Sequence, residues 1–168
     1  QRTKKRKLGE LTNDSYVQQF VPPLKLRRIE DGNETETKAS VEDEKQTEEV
    51  RMLFYSTMDR RKYQIVEIED VSMWENASIY EKILEEQCKS RGKSRDQLEG
   101  YVWHGSRCIN NIQSIIDNGF DRSYNKRGKY GKGTYFARDA AYSNNNGFCG
   151  KDANGISYVL LCKAIIGD

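Results

Sequence analysis

The sequence has 168 residues, of which 36% are hydrophobic and 32% charged, with a formal net charge of +2. Globular chains average about 45–50% apolar and about 25% charged residues, so a part of this chain is expected to stay unfolded while a shorter part carries the core. No run approaches the roughly 18 apolar residues of a membrane-spanning helix and no secretory signal is visible. Two prolines and thirteen scattered glycines exclude collagen-like and proline-rich fibrous classes.

The small net charge hides an asymmetry. Residues 1–29 hold eight Lys/Arg and two acids, and residues 30–50 hold nine acids and two lysines. A basic block followed by an acidic block, both poor in large apolar residues, predicts a disordered tail over residues 1–50. Within it, Arg2-Thr3-Lys4-Lys5-Arg6-Lys7 resembles a nuclear import signal or a phosphate-contacting cluster, and is equally a solvated basic terminus. On that cluster a nuclear or cytoplasmic, non-secreted protein is expected. Leu24-Lys25-Leu26-Arg27-Arg28-Ile29 is a second basic stretch, and Pro22-Pro23 blocks a helix before it.

From residue 51 the pattern changes to that of a folded domain, residues 51–168. Tyr63–Ile68 is rich in β-formers and predicts a strand. A helix is predicted from about Trp74, with Ala77, Tyr80, Ile83, Leu84 and Cys88 on one face, ending at Arg91-Gly92. Residues 91–99 read as a polar loop. Tyr101-Val102-Trp103 is a short strand delivering His104-Gly105-Ser106. A second amphipathic helix follows through Ile109, Ile112, Ile115 and Ile116, stopped by Asn118-Gly119. Residues 121–133 read as a loop, Thr134–Ala137 as a strand, and residues 139–145 as one or two helical turns. After a Gly/Asn loop, Ile156–Ile166 is a strong buried strand. An apolar strand that stops at Gly167-Asp168 lacks sheet partners, so the domain is expected to continue beyond it.

The four cysteines show no C-x-x-C spacing and His104 is the only histidine, a poor set of ligands for a metal site. The cysteines are expected to be reduced thiols, with Cys162 in the core. Taken singly, the other candidates are weak. A lone histidine after a strand is more often a structural hydrogen-bonder. Gly131-Lys132-Gly133 lacks Walker spacing, and no Ser/His/acid set has triad spacing.

Their order is more informative. The features run strand, His104-Gly105-Ser106, helix, Gly119-Phe120-Asp121-Arg122-Ser123-Tyr124, loop, Tyr130-Gly131-Lys132-Gly133-Thr134-Tyr135-Phe136-Ala137, Ala141-Tyr142-Ser143, strand. This series resembles the catalytic domain of the poly(ADP-ribose) polymerase family, the diphtheria-toxin-like ADP-ribosyltransferases, from about Tyr63 to Asp168. Gly119 to Ser143 looks most like the mono-ADP-ribosylating branch. The resemblance implies an α+β domain of the ADP-ribosyltransferase fold, a split antiparallel sheet with flanking helices, incomplete at its C-terminal end.

It also implies chemistry. NAD⁺ serves as co-substrate without a metal, and ADP-ribose passes to protein side chains with loss of nicotinamide through an oxocarbenium-like state, as in glycoside cleavage. By resemblance, His104 and Tyr135 are the catalytic pair. His104 holds a ribose hydroxyl, and Tyr135 stacks on the nicotinamide ring. The Gly105 backbone pairs with the carboxamide, and Ser143 gives that amide a third partner. Ser106, Tyr130, Phe136 and Ala137 line the cofactor site, and Phe148 closes the second ring face, as Phe where the family often has Tyr. Tyr142 is a further lining candidate, and for both Tyr130 and Tyr142 core packing is the alternative; Arg122 is either a pyrophosphate contact or a solvated loop residue. The family's third signature residue belongs to a later strand, and no residue here stands for it.

Two other readings stay open. A degenerate or truncated member would bind NAD⁺, ADP-ribose or a protein partner without turnover. A basic nucleic-acid binder is disfavoured, because the equal acidic block competes with phosphate for the basic one. The expected partners are NAD⁺ and protein acceptors, the chain's own acidic segment among them, with neither nucleic acid nor membrane.

Overall fold

The computed structural model describes residues 17–18, 23–28, 44–69, 74–124, 128, 131–145 and 147–166. The basic cluster Arg2–Lys7, most of the acidic run and Tyr130 lie outside the described residues. The elements in chain order are β1 (Val17–Gln18), β2 (Pro23–Arg28), α1 (Glu44–Tyr55), β3 (Tyr63–Ile68), α2 (Trp74–Arg91) and α3 (Arg95–Leu98). There follow β4 (Glu99–Gly105), α4 (Ile109–Asn118), a 3₁₀ turn at Arg122–Tyr124, α5 (Ala140–Asn145) and β5 (Ile156–Ile165).

β5 is the spine of an antiparallel sheet. Along one edge it pairs with β4, from Glu99 opposite Ile165 to Gly105 opposite Val159. Along the other it pairs first with β1 (Val17 opposite Ala164) and then with β2 (Pro23 opposite Leu160 to Arg27 opposite Ile156). β2 is itself flanked by β3, with a register shift between Lys25 and Leu26. A strand covered on both sides reads as a continuous apolar run, and β5 does: Val159, Leu160, Leu161, Cys162 and Ala164 are fully buried.

The structure differs from the composition-based tail here. β1, β2 and the first turns of α1 all fall within residues 1–50, and the proposed boundary at residue 51 cuts α1. Local composition carries the charge of β2 but not its partners, which lie 35 or more residues away in β3 and more than 125 away in β5. Two shorter elements also depart from the sequence reading. Residues 95–98 form a helical turn in the predicted polar loop. The predicted strand Thr134–Ala137 reduces to one bridge, Ala137 with Trp103.

α2 and α4 bury most of the apolar faces that their spacing predicts, and α1, which the sequence reading did not name, packs on the core as well. α1 buries Val50 and Phe54 against Ile65, Trp103 and Val159, and Phe54 meets the Trp103 ring edge-on at 5.9 Å. α2 buries Tyr80 and Leu84 against Leu98 and Ile165. There the Tyr80 hydroxyl donates to Glu99 Oε1 at 2.9 Å, and the Arg95 fork bridges Glu99 and Glu81. Burial pushes the Tyr80 phenol up, with the Glu99 carboxylate adding to the shift. α4 buries Ile112 against Phe136, Leu160 and Cys162 and leaves Ile109 exposed. It stops at Gly119, whose φ of 79° suits a residue without a β-carbon and whose N–H closes on Ile115 O at 2.8 Å.

Candidate active site

The site grows from the outer edge of β4. Residues on an antiparallel strand alternate in the side to which their N–H and C=O point. Trp103 spends both groups on Ala137, at 2.7 and 2.8 Å, so it faces away from β5. Gly105, two residues on, faces the same way. Continuing the bridge's register sets Gly105 against Tyr135, but the chain has diverged there and no backbone bond joins the two. Among the described residues, the end of β4 therefore presents an amide N–H and a carbonyl to an open edge.

Gly105 sits close against main chain. A β-carbon on it would come 3.3 Å from the carbonyl oxygens of both Ser143 and Phe148. Ser143, on α5, is 4% exposed, and among the described residues no hydrogen bond falls on its hydroxyl. A buried hydroxyl without a partner costs about 1–3 kcal/mol, and such an atom, on a residue whose backbone packs against Gly105, fits a ligand with its own donors and acceptors.

His104 is held on the opposite face of the strand. Its Nδ1 lies 2.9 Å from Tyr135 O. A carbonyl only accepts, so Nδ1 carries the proton and Nε2 of the neutral ring is an acceptor. Phe120 meets the imidazole edge-on at 5.0 Å, Phe136 lies at 5.5 Å, and the two phenyl rings contact each other at 5.0 Å. This packing lowers the His104 pKa by desolvation, against which the bond to Tyr135 O pulls the other way.

Tyr135 is 37% exposed, and its hydroxyl donates to Gly131 O at 2.7 Å. The phenol is packed so tightly against Gly128 that a β-carbon there would overlap it. The ring is thus anchored at its tip by the glycine-containing loop and at its backbone by His104.

Phe148, whose backbone packs against Gly105, stacks on Tyr142 at 5.9 Å and 20° between planes, both exposed. Arg107 reaches this pair: its Nε donates to Gly147 O at 2.7 Å and its guanidinium lies 5.8 Å from the Phe148 ring centre.

The structure thus brings His104, Gly105, Tyr135, Ser143, Phe148 and Tyr142 to one edge. Phe136 and Ala137 are buried behind it, as support for His104 and Trp103. Ser106 is adjacent, but its hydroxyl accepts from Cys108 N and Asn111 Nδ2 and closes the β4–α4 turn. Arg122 lies on the exposed 3₁₀ turn. Sequence reasoning did not select Phe120, Gly128 or Arg107. Phe120 had one signal, an aromatic directly after the helix stop at Gly119.

A model of the poly(ADP-ribose) polymerase catalytic domain matches residues 10–168. The chain belongs to that family. The match takes in β1 and β2, in agreement with their place in the sheet, and the α+β architecture with its antiparallel sheet is that of the family's ADP-ribosyltransferase fold. Over 120 residues the chain is 34% identical to a probable poly [ADP-ribose] polymerase of Dictyostelium discoideum, an alignment covering 68% of this chain and 34% of that protein. It is 30% identical over 105 residues to the human protein mono-ADP-ribosyltransferase PARP14, covering 61% of this chain and 6% of the relative. Against the mouse protein mono-ADP-ribosyltransferase PARP11 the identity is 36% over 107 residues, covering 62% and 30%. The chain spans about a third or less of the length of these poly(ADP-ribose) polymerase family relatives.

Proposed function

We propose that this chain forms the NAD⁺ site of an ADP-ribosyltransferase that transfers single ADP-ribose units to protein side chains and releases nicotinamide. One observation carries the reading: the main-chain edge of Gly105, unpaired among the described residues, packs against the backbone of Ser143, whose buried hydroxyl has no partner among those residues. A carboxamide has two N–H donors and one acceptor oxygen. The Gly105 N–H donates to that oxygen, the Gly105 carbonyl accepts from one amide hydrogen, and Ser143 supplies a third partner. Donors fixed by a strand and a helix need no reorganisation when a ligand arrives.

The other side chains take complementary roles. His104 Nε2, an acceptor by its tautomer, receives a ribose hydroxyl. The rings of Tyr135 and Phe148 flank the nicotinamide plane, a contact worth about 0.5–1.5 kcal/mol per ring beyond area burial. NAD⁺ supplies a ribosyl carbon that already bears a good leaving group. Single-unit transfer rests on the likeness to proteins named mono-ADP-ribosyltransferases.

Incubation with NAD⁺ labelled in its adenylate half, with released nicotinamide and protein-bound label followed together, tests the proposal. Equimolar nicotinamide release and single-unit label on protein are expected. Saturable NAD⁺ binding with no release would reduce the chain to a binding module, and no binding would overturn the reading.

A further inference from the structure

We propose that Arg107 is a positioning residue that holds Phe148, so that affinity for the nicotinamide end of NAD⁺ depends on a side chain that does not touch it. The proposal rests on the functional reading above. Arg107 lies two residues after Gly105, on the same β4–α4 turn, and reaches forty residues along the chain to Gly147 O. The same guanidinium lies over the Phe148 ring, within the range at which a cation is drawn to an aromatic face. The main chain of the turn adds a second tie, as Gly150 N–H donates to Ser106 O at 2.9 Å.

Phe148 needs such a support. The residue is 42% exposed, and the residue before it, Gly147, has no side chain to set against the ring. Tyr142, the aromatic neighbour of Phe148, is itself exposed. Arg107 supplies both a directional bond to the backbone before Phe148 and a cation near its face, a combination that a planar, multi-donor guanidinium makes and an ammonium does not. One short turn thereby carries two walls of the slot: the Gly105 edge directly, and the Phe148 ring through Arg107.

The test is a calorimetric titration of nicotinamide, and separately of NAD⁺, into the wild-type chain, R107A, F148L and R107A/F148L. F148L keeps an apolar wall and removes the ring face. Arg107→Ala is expected to weaken nicotinamide binding about three- to tenfold in the wild-type background, with an unchanged melting temperature. In the F148L background the same change is expected to add no further loss, and R107K is expected to fall between R107A and wild type. Unaltered affinity in R107A overturns the proposal, as does an equal loss in both backgrounds, which would mark a general structural role. A wild-type chain that binds neither probe overturns instead the functional reading on which the proposal stands.

Discussion

His104 Nδ1 is bonded to the backbone oxygen of Tyr135 at 2.9 Å, and this contact joins the two residues that the family resemblance pairs in catalysis. It fixes the imidazole tautomer and leaves Nε2 as the acceptor. It also ties the end of β4 to the loop that carries the Tyr135 ring, so the position of one side chain constrains the other.

The tautomer has a consequence for pH. Burial lowers the His104 pKa below 6.5, so the folded state resists a proton that the unfolded state accepts. The associated stability is fully present above the unfolded value of about 6.5 and is lost as pH falls through the folded value. NAD⁺ binding is expected to stay level from about pH 7 upward and to fall only on the acid side. Because His104 is the only histidine, one imidazole resonance reports it directly. A midpoint above 6.5 in an NMR titration would contradict the packing.

Phe120 sets that packing. Its ring covers the edge of His104, and Phe120→Ala admits water to the imidazole. The variant is expected to lose about 2 kcal/mol of stability, less than a fully buried phenylalanine because the site is half-exposed, and to move the His104 midpoint up toward 6.5. The same resonance measures the shift, and an unmoved midpoint would show that Phe120 does not desolvate the ring.

Ser143 gives effects of opposite sign on stability and binding. Its buried hydroxyl has no partner among the described residues, so Ser143→Ala removes an unpaid desolvation penalty from the free protein. The melting temperature is expected to hold or rise slightly. Nicotinamide affinity is expected to fall by about 1 kcal/mol, the worth of one hydrogen bond. Differential scanning fluorimetry with and without nicotinamide separates the two; a lower melting temperature with intact affinity would place the hydroxyl's partner inside the protein.

β2 extends the folded unit into the charged N-terminal stretch. It stands between β3 and β5, so its removal exposes a ladder edge on each. A chain that begins at Ile29 is expected to lose its cooperative thermal transition, or to melt at least about 10 °C lower. Circular dichroism melting follows this, and an unchanged transition would mean that β2 contributes nothing to the sheet.

Legibility followed distance along the chain. β3 coincides with the predicted Tyr63–Ile68, and α4 and its Gly119 stop follow from apolar spacing and one glycine. β5 is legible because a strand buried on both faces needs an uninterrupted apolar run. His104, Gly105, Tyr135 and Ser143 were named from motif order, and the fold brings them to one edge. β1 is hidden because two residues carry no pattern and β2 because its charge resembles that of a tail; pairing with β5, and for β2 also with β3, makes them strands. Arg107 and Gly128 were hidden because their roles exist only in contact with Gly147 and the Tyr135 ring, which no local pattern announces.

In the proposed reading the Gly105 edge, open among the described residues, receives a carboxamide. Valine at this position would press its β-carbon toward the carbonyl oxygens of Ser143 and Phe148 and project its methyl groups into the edge. Calorimetric titration of nicotinamide into the wild-type chain and Gly105→Val tests this directly. One saturable site is expected in the wild type and none in a folded Gly105→Val protein; equal binding to both would contradict a carboxamide at the Gly105 edge.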